Sequence, residues 1–154
     1  VGYNLEGNEL GASFGMAQLE KLDQNIASRQ ANFDRQCKFF DNYPDYFLNP
    51  QETFGSKTAW LAFPILIKEG APFTRKEFQI FLEKRNIQTR VVFTGNILRQ
   101  PMCQNISTKV LKEGYPNADR VMAKGVLLPL HHGMTESMFI RLHSTIHKFT
   151  EQYE

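Results

Sequence analysis

Apolar positions along the chain change their spacing several times, and each change marks an element. Leu10, Phe14 and Ala17, then Leu19, Leu22 and Ile26, recur at three and four residues, the helical period. Asn8 is a good N-cap for this run, and Glu9 places a negative charge in its first turn, where the helix dipole favours it. Gly11, Ala12 and Gly15 make the start of the helix small. Each internal Gly costs about 1 kcal/mol of helix propensity, so close approach of another backbone is the expected compensation. Asp23 is the expected cap of a second segment through Ala31, Phe33 and Cys37 to Phe40. Unbroken from Asn8 to Phe40, the helix would be roughly 50 Å long at 1.5 Å per residue. That is too long for a chain of this size to bury, and a kink, an interface with something outside the chain, or both are expected.

Beyond it, residues 41–57 hold Pro44 and Pro50 and read as a connection with a short strand near 46–48. Residues 59–68 alternate as a strand, with Leu61, Phe63, Ile65 and Ile67 on one face and Trp60, Ala62 and Leu66 on the other. Pro64 cannot donate to a ladder, so its amide side should face an edge or a bulge. Thr74 and Glu77 form a capping box, and Phe73 with Phe78 a hydrophobic staple. This helix carries Phe81 and Leu82 and ends near Asn86, a plausible left-handed cap.

Residues 88–101 organise the rest. Thr89 to Phe93 suit a half-buried strand, and Thr94-Gly95-Asn96 breaks it, since Gly permits a tight backbone and Asn tolerates left-handed geometry. An exposed Arg99 and a stop at Pro101 follow. A polar loop on a strand end is where sites tend to be built. Residues 102–116 are irregular. Asn117 is the expected cap of a short helix over 118–124 that Gly125 stops, and residues 126–130 suit a buried strand. Thr135 caps a last helix with Phe139, Leu142, Ile146 and Phe149 on one stripe. Helices and strands in alternation predict an α/β chain, a small sheet covered on one side by helices, with parallel and antiparallel pairings both open. The expected core joins Leu61, Phe63, Ile65, Phe78, Leu82, Val92, Leu128, Leu142 and Ile146.

Composition narrows the function classes. The chain has 154 residues, 42% of them hydrophobic, with 13 Phe that must go inside or into an interface. A net charge of +2, with basic residues dispersed, argues against nucleic-acid binding driven by phosphate neutralisation. No apolar run approaches a membrane span. Cys37 and Cys103 sit in unrelated contexts and read as reduced thiols of a cytoplasmic protein. Val1 opens the chain directly inside a structured motif, so a piece of a longer protein is expected.

Catalytic groups are scarce. His143 and His147 stand at i, i+4 on the last helix, but Ser144 stands where a metalloprotease has Glu, and nothing completes a tetrahedral set. The pair is expected on a solvated face, and His131-His132 follows a strand. No Ser lies in a Gly-x-Ser-x-Gly context, neither Cys is beside a motif His, and there is no phosphate loop.

The residues themselves carry a resemblance. Gly2-Tyr3-Asn4-Leu5, then Asn8-Glu9-Leu10-Gly11-Ala12-Ser13-Phe14-Gly15-Met16-Ala17-Gln18-Leu19-Glu20-Lys21-Leu22, is similar to a signature of the DegT-type sugar aminotransferases, where the chain leaves the large domain for the small C-terminal one. Ala59-Trp60-Leu61-Ala62-Phe63-Pro64, the helix after Thr74, Asn117-Ala118-Asp119-Arg120 and Leu128-Pro129-Leu130-His131 follow in the family's order. Phe93-Thr94-Gly95-Asn96-Ile97-Leu98-Arg99-Gln100-Pro101 resembles most the branch with CDP-4-dehydro-6-deoxyglucose 3-dehydratase.

The resemblance implies the small C-terminal domain of a fold-type I enzyme that uses pyridoxal 5'-phosphate or pyridoxamine 5'-phosphate on a nucleotide-linked 4-keto-6-deoxy sugar. Residues 1–22 would end the large cofactor-binding domain and begin the interdomain helix, and residues 23–154 would form the small domain. It implies a homodimer with sites at the subunit interface, Asn4 reaching across to the cofactor phosphate, and Asn96 and Arg99 on the substrate side. A neutral amide suits that phosphate contact, and Arg99 could fork onto a diphosphate. It implies no catalytic residue in this chain, since the Schiff-base Lys, or the His that replaces it in the dehydratase, lies upstream. A reductase partner is expected if the reaction is 3-dehydration. The alternative is a free-standing, non-catalytic α+β binding module.

Overall fold

The computed structural model describes residues 7–153. Two helices open it: α1 (Glu9–Leu19) and α2 (Leu22–Phe40). Asn8 caps α1, its side chain accepting from the Gly11 amide at 2.7 Å. The expected kink lies at Glu20 and Lys21, between the two helices. Asp23 is not the cap of α2. Lys21 holds that position without a side-chain bond, and Asp23 sits in the first turn, where its charge still favours the helix. No residue of α1 is buried, and Leu10 and Phe14 are 84% and 74% exposed.

Four short strands follow: β1 (Phe47–Leu48), β2 (Phe63–Ile67), β3 (Arg90–Val91) and β4 (Gly125–Leu128), in the sheet order β1-β2-β4-β3. Every pairing is antiparallel, which settles the orientation that residue pattern leaves open. β1 pairs only with Leu66 and Ile67 of β2. At Pro64 one side of β2 therefore has no β1 partner, and the proline removes no ladder bond there. Helix α3 (Arg75–Glu83) begins with the full capping box. Thr74 Oγ1 accepts from the Glu77 amide at 3.2 Å, and the Glu77 carboxylate accepts from the Thr74 amide at 2.7 Å. Asn86 ends this region at φ 57, the left-handed cap expected. Thr135 caps α5 (Glu136–Thr150).

The core is aromatic. Phe40 stacks on Phe63 at 5.4 Å, Phe47 meets Phe78 at 5.3 Å, and Phe149 packs on Phe73 and Phe78 at 4.7 and 5.2 Å. Phe63, Ile65 and Ile67 of β2, Val126 and Leu128 of β4, and the α5 stripe Phe139, Leu142, Ile146 and Phe149 are all buried. Two expected core residues are not. Leu61 is 82% exposed, because β2 starts only at Phe63 and the alternation over 59–62 belongs to a bend. Val92 is half-buried, because pairing in β3 stops at Val91 and the chain turns away. Helix α4 (Pro116–Lys124) also starts earlier than Asn117 suggests. Pro116 takes the first helical position, where its fixed φ and missing N–H cost nothing, and Tyr115 stands before it without a side-chain cap.

Candidate functional site

The polar loop after β3 is held by side-chain and backbone hydrogen bonds at both ends. Thr89 anchors its start: its amide and hydroxyl both donate to Glu83 Oε1, at 2.7 and 2.9 Å. These bonds hold the Glu83 carboxyl below its ordinary range. After Val91 the backbone folds sharply, the Phe93 amide donating to the Val91 carbonyl at 2.9 Å and the Gly95 amide to Val92 at 3.1 Å. Phe93 has φ 47 and Gly95 φ 65. Gly95 needs its freedom twice over. Its backbone is left-handed, and a Cβ there would lie 2.3 Å from Cβ of Met122 on α4. The loop thus closes directly on the α4 backbone.

Polar bonds lock the far side. Asn96 is buried. Its Oδ1 accepts from the Leu98 amide at 3.1 Å, opening a 3-10 turn at Ile97–Arg99, and its Nδ2 donates to Asp119 Oδ1 at 2.8 Å. Arg99 forks onto the same carboxylate, Nε to Oδ1 and Nη2 to Oδ2, both at 2.9 Å. These donors push the Asp119 carboxyl down to about 2, with the Arg99 bonds the largest cause and Asn96 next. Gln100 Nε2 donates to the Thr94 carbonyl at 2.9 Å and ties the loop to itself.

Asn96 and Arg99 are therefore brought together, on one carboxylate, at the rim of a groove of about 270 Å³ that also includes Leu98, Tyr115 and Asp119. The joining residue is Asp119, to which pattern reading assigns no role. The signal available was an acid in the first turn of a helix that follows an Asn-x-x-Arg loop. On the other side of the loop lies a second groove of about 320 Å³, lined by Arg75, residues 91–95, Gln100 and Met122. The cationic residues that line the two grooves are Arg75 and Arg99. Asn4 lies outside the described residues.

Only His147 of the histidine pair lies on the expected solvated face. His143 is half-buried, stacked on Phe39 of α2 at 3.9 Å, and its Nε2 lies 2.9 Å from Gln36 Oε1. Burial, followed by the nearby Arg35 charge, pushes it down to about 4. His147 meets the Tyr43 hydroxyl at 2.8 Å and Glu151 at 3.3 Å. Among the described residues no group of three or more His, Cys, Asp or Glu is placed to hold a metal ion. Cys37 and Cys103 are both free, and burial pushes the Cys37 thiol up to about 11. No helix among the described residues is long and apolar enough to cross a membrane.

A four-stranded antiparallel sheet packed with helices, led by an exposed apolar helix, is the fold of the C-terminal part of fold-type I pyridoxal-phosphate enzymes. It superposes on the ColD H188K S187N structure with a TM-score of 0.81 at 25% identity, covering 94% of this chain and 37% of that one. The E. coli GDP-4-keto-6-deoxy-D-mannose-3-dehydratase with bound hydrated PLP gives a TM-score of 0.80 at 25% identity, over 94% of this chain and 36% of that one. The DegT/DnrJ/EryC1/StrS aminotransferase family model matches residues 1–147, and the chain belongs to that family. It is 32% identical over 151 residues to the lipopolysaccharide biosynthesis protein RfbH of Salmonella typhimurium, covering 98% of this chain and 34% of the relative. It is also 32% identical to the dTDP-4-dehydro-2,6-dideoxy-D-glucose 3-dehydratase of Saccharopolyspora spinosa, over 97% of this chain and 32% of that protein. The chain thus spans about a third of the length of these relatives.

Proposed function

We propose that this chain is the C-terminal part of a longer enzyme that uses pyridoxal or pyridoxamine phosphate on a nucleotide-linked 4-keto-6-deoxy sugar. The reaction is 3-dehydration or amino transfer, and its place is deoxy- or amino-sugar synthesis for surface polysaccharide. The observation that carries this is correspondence along almost the whole chain with proteins named as nucleotide-sugar 3-dehydratases, in sequence and in fold. Cofactor chemistry on this reading belongs to an upstream part that supplies the catalytic Lys or His. On this reading residues 1–22 end the large domain and residues 23–154 are the small domain. The break between α1 and α2 and the bare apolar surface of α1 support that division.

The same exposure supports a dimer in which α1 is covered. Leu10, Phe14, Met16 and Leu19 would be costly to leave in water, at about 1.5–3 kcal/mol for each large side chain. Asn4 then donates to the cofactor phosphate of the partner subunit. Asn96 and Arg99 form the substrate-side loop, where Asp119 holds the guanidinium by Nε and Nη2 and leaves Nη1 for an anionic substrate. The enzyme works in the cytoplasm on soluble nucleotide sugar, and a reductase completes the reaction if it is a 3-dehydratase. The test compares this chain with the longer polypeptide, each loaded with pyridoxal phosphate and desalted. The longer protein should retain the cofactor as a dimer and this chain should not. In the longer protein Asn4→Ala should weaken retention about ten-fold, one lost bond to a charged group being worth roughly 1.5–3 kcal/mol. Wild-type retention in that variant refutes the Asn4 contact.

A further inference from the structure

β3 and β4 run antiparallel, so the loop after Val91 and the turn after Leu128 lie at opposite ends of the pair. At the end away from Asn96 and Arg99, a pocket of about 250 Å³ opens between the α3–β3 connection, the turn after β4 and α5. Ile87 and Leu142, both buried, give it an apolar floor, and Met134 and Met138 wall it. Met138 is 48% exposed, and a flexible thioether side chain adapts its shape to what it covers. Pockets for drug-sized molecules and cofactors run to about 300–1,000 Å³, so this one takes only a compact body. No carboxylate lines it. Arg141 does, and its Nη2 donates to the Arg85 carbonyl at 2.7 Å, which fixes the guanidinium. Its Nε and Nη1 meet no acceptor among the described residues, and no described carboxylate pairs with it. His131 is held in place as well: Asn32 Nδ2 donates to its carbonyl at 2.7 Å, and its Nδ1 accepts from the Gly133 amide at 3.1 Å. An accepting Nδ1 puts the ring proton on Nε2, which makes the imidazole a second donor.

A fixed guanidinium and an imidazole N–H over an apolar floor suit a ligand that is anionic at one end and apolar at the other. We propose that this pocket binds a small monocarboxylate with a compact apolar body, Arg141 and His131 taking the carboxylate and the two methionines enclosing the body. Charge-assisted bonds from Arg141 fix the anionic end, and burial against Ile87 and Leu142 supplies the rest. An anion without an apolar body gains nothing from that floor, and a neutral apolar molecule leaves the guanidinium unpaired. A ligand at this end of the sheet meets neither Asn96 nor Arg99, so the site is separate from the substrate-side loop and stands whether or not the substrate is a nucleotide sugar.

The test is NMR titration of the longer polypeptide with isotope-labelled methionine methyl groups, the Met134 and Met138 signals being assigned by replacing each with leucine. The probes are phenylacetate and isocaproate, with acetate, inorganic phosphate and phenethyl alcohol as controls. Both carboxylates should move the Met134 and Met138 signals saturably and leave those of Met16, Met102 and Met122 in place. Acetate and phosphate should move neither. Phenethyl alcohol, which has the body without the charge, should bind about ten-fold more weakly than phenylacetate, the difference made by losing a bond to a charged group. Arg141→Gln should weaken phenylacetate about ten-fold and leave phenethyl alcohol unchanged, and the unchanged alcohol separates a lost charge from a lost fold. Equal affinity for the acid and the alcohol, or for phenylacetate in wild type and Arg141→Gln, overturns the carboxylate contact and with it the proposal. No saturable shift at Met134 and Met138 with either carboxylate overturns the site, as do shifts confined to Met102 and Met122, which would place the acid at the substrate-side loop.

Discussion

Substituting Gly95 by alanine should unlock the loop that carries Asn96 and Arg99. Two costs combine at this position. The backbone is left-handed, at φ 65, which costs an L-residue on the order of 1 kcal/mol. The new Cβ would also lie 2.3 Å from Met122 Cβ and 2.7 Å from its Cα. The second of these atoms belongs to the α4 backbone, so relief requires the loop or the helix to move, and overpacking of this kind costs about 1–3 kcal/mol. The sum is about 2–4 kcal/mol. At roughly 2–4 °C per kcal/mol for a domain of this size, the melting midpoint should fall by about 4–16 °C. Gly55 and Gly114 provide internal controls. They have φ 81 and 71, and a Cβ at either meets nothing within 4 Å. Their alanine variants should show the backbone cost alone, about 1 kcal/mol. Urea denaturation of the three variants measures the difference directly, and amide exchange at Asn96 and Leu98 should accelerate only in Gly95→Ala. A Gly95→Ala protein as stable as Gly55→Ala would refute the close contact between the loop and α4.

Three further outcomes follow from the same geometry. The Asp119 carboxyl is held at about 2 instead of its ordinary 3.8, so its stabilising contribution is complete above 3.8 and lost as the pH falls through about 2. Acid titration of stability should show that loss in wild type and not in Asp119→Asn, which should be the less stable protein at neutral pH. His143 is pushed from 6.5 to about 4, so the unfolded chain takes up its proton first. Stability should decline as the pH falls from 6.5 to about 4 and then level, a slope that His143→Phe should remove. Ile146→Ala truncates a fully buried side chain of α5 and should cost about 2–5 kcal/mol in denaturant melts, whereas Leu61→Ala, at an exposed position, should cost less than 1 kcal/mol.

Local rules made the helix ends legible. Asn8, Thr74 with Glu77, Asn86 and Thr135 each act within three or four residues, and the structure has all of them in their expected roles. The α5 stripe was equally legible, because periodicity reports a face whatever it packs against. What escaped depends on residues far apart in the chain. The alternation at 59–68 cannot reveal that pairing with β4 begins only at Phe63, which leaves Leu61 outside. The i, i+4 spacing of His143 and His147 gives no sign that Phe39 and Gln36 of α2 close over His143. Within the candidate site, Asn96 and Arg99 stood out as polar residues on a strand-end loop, but their joint partner Asp119 lies twenty or more residues on, across a segment without periodic pattern.

The most direct test of the proposed function is turnover by the longer polypeptide. It would be incubated with pyridoxal or pyridoxamine phosphate, an amino donor and a reductase that supplies the two electrons 3-deoxygenation needs, and offered CDP-, GDP- and dTDP-linked 4-keto-6-deoxyhexoses, with the products read by mass spectrometry. At least one of these sugars should be converted, either losing its C3 oxygen or exchanging its C4 keto oxygen for an amine. A polypeptide that holds the cofactor and leaves every nucleotide sugar unchanged would contradict the proposed function.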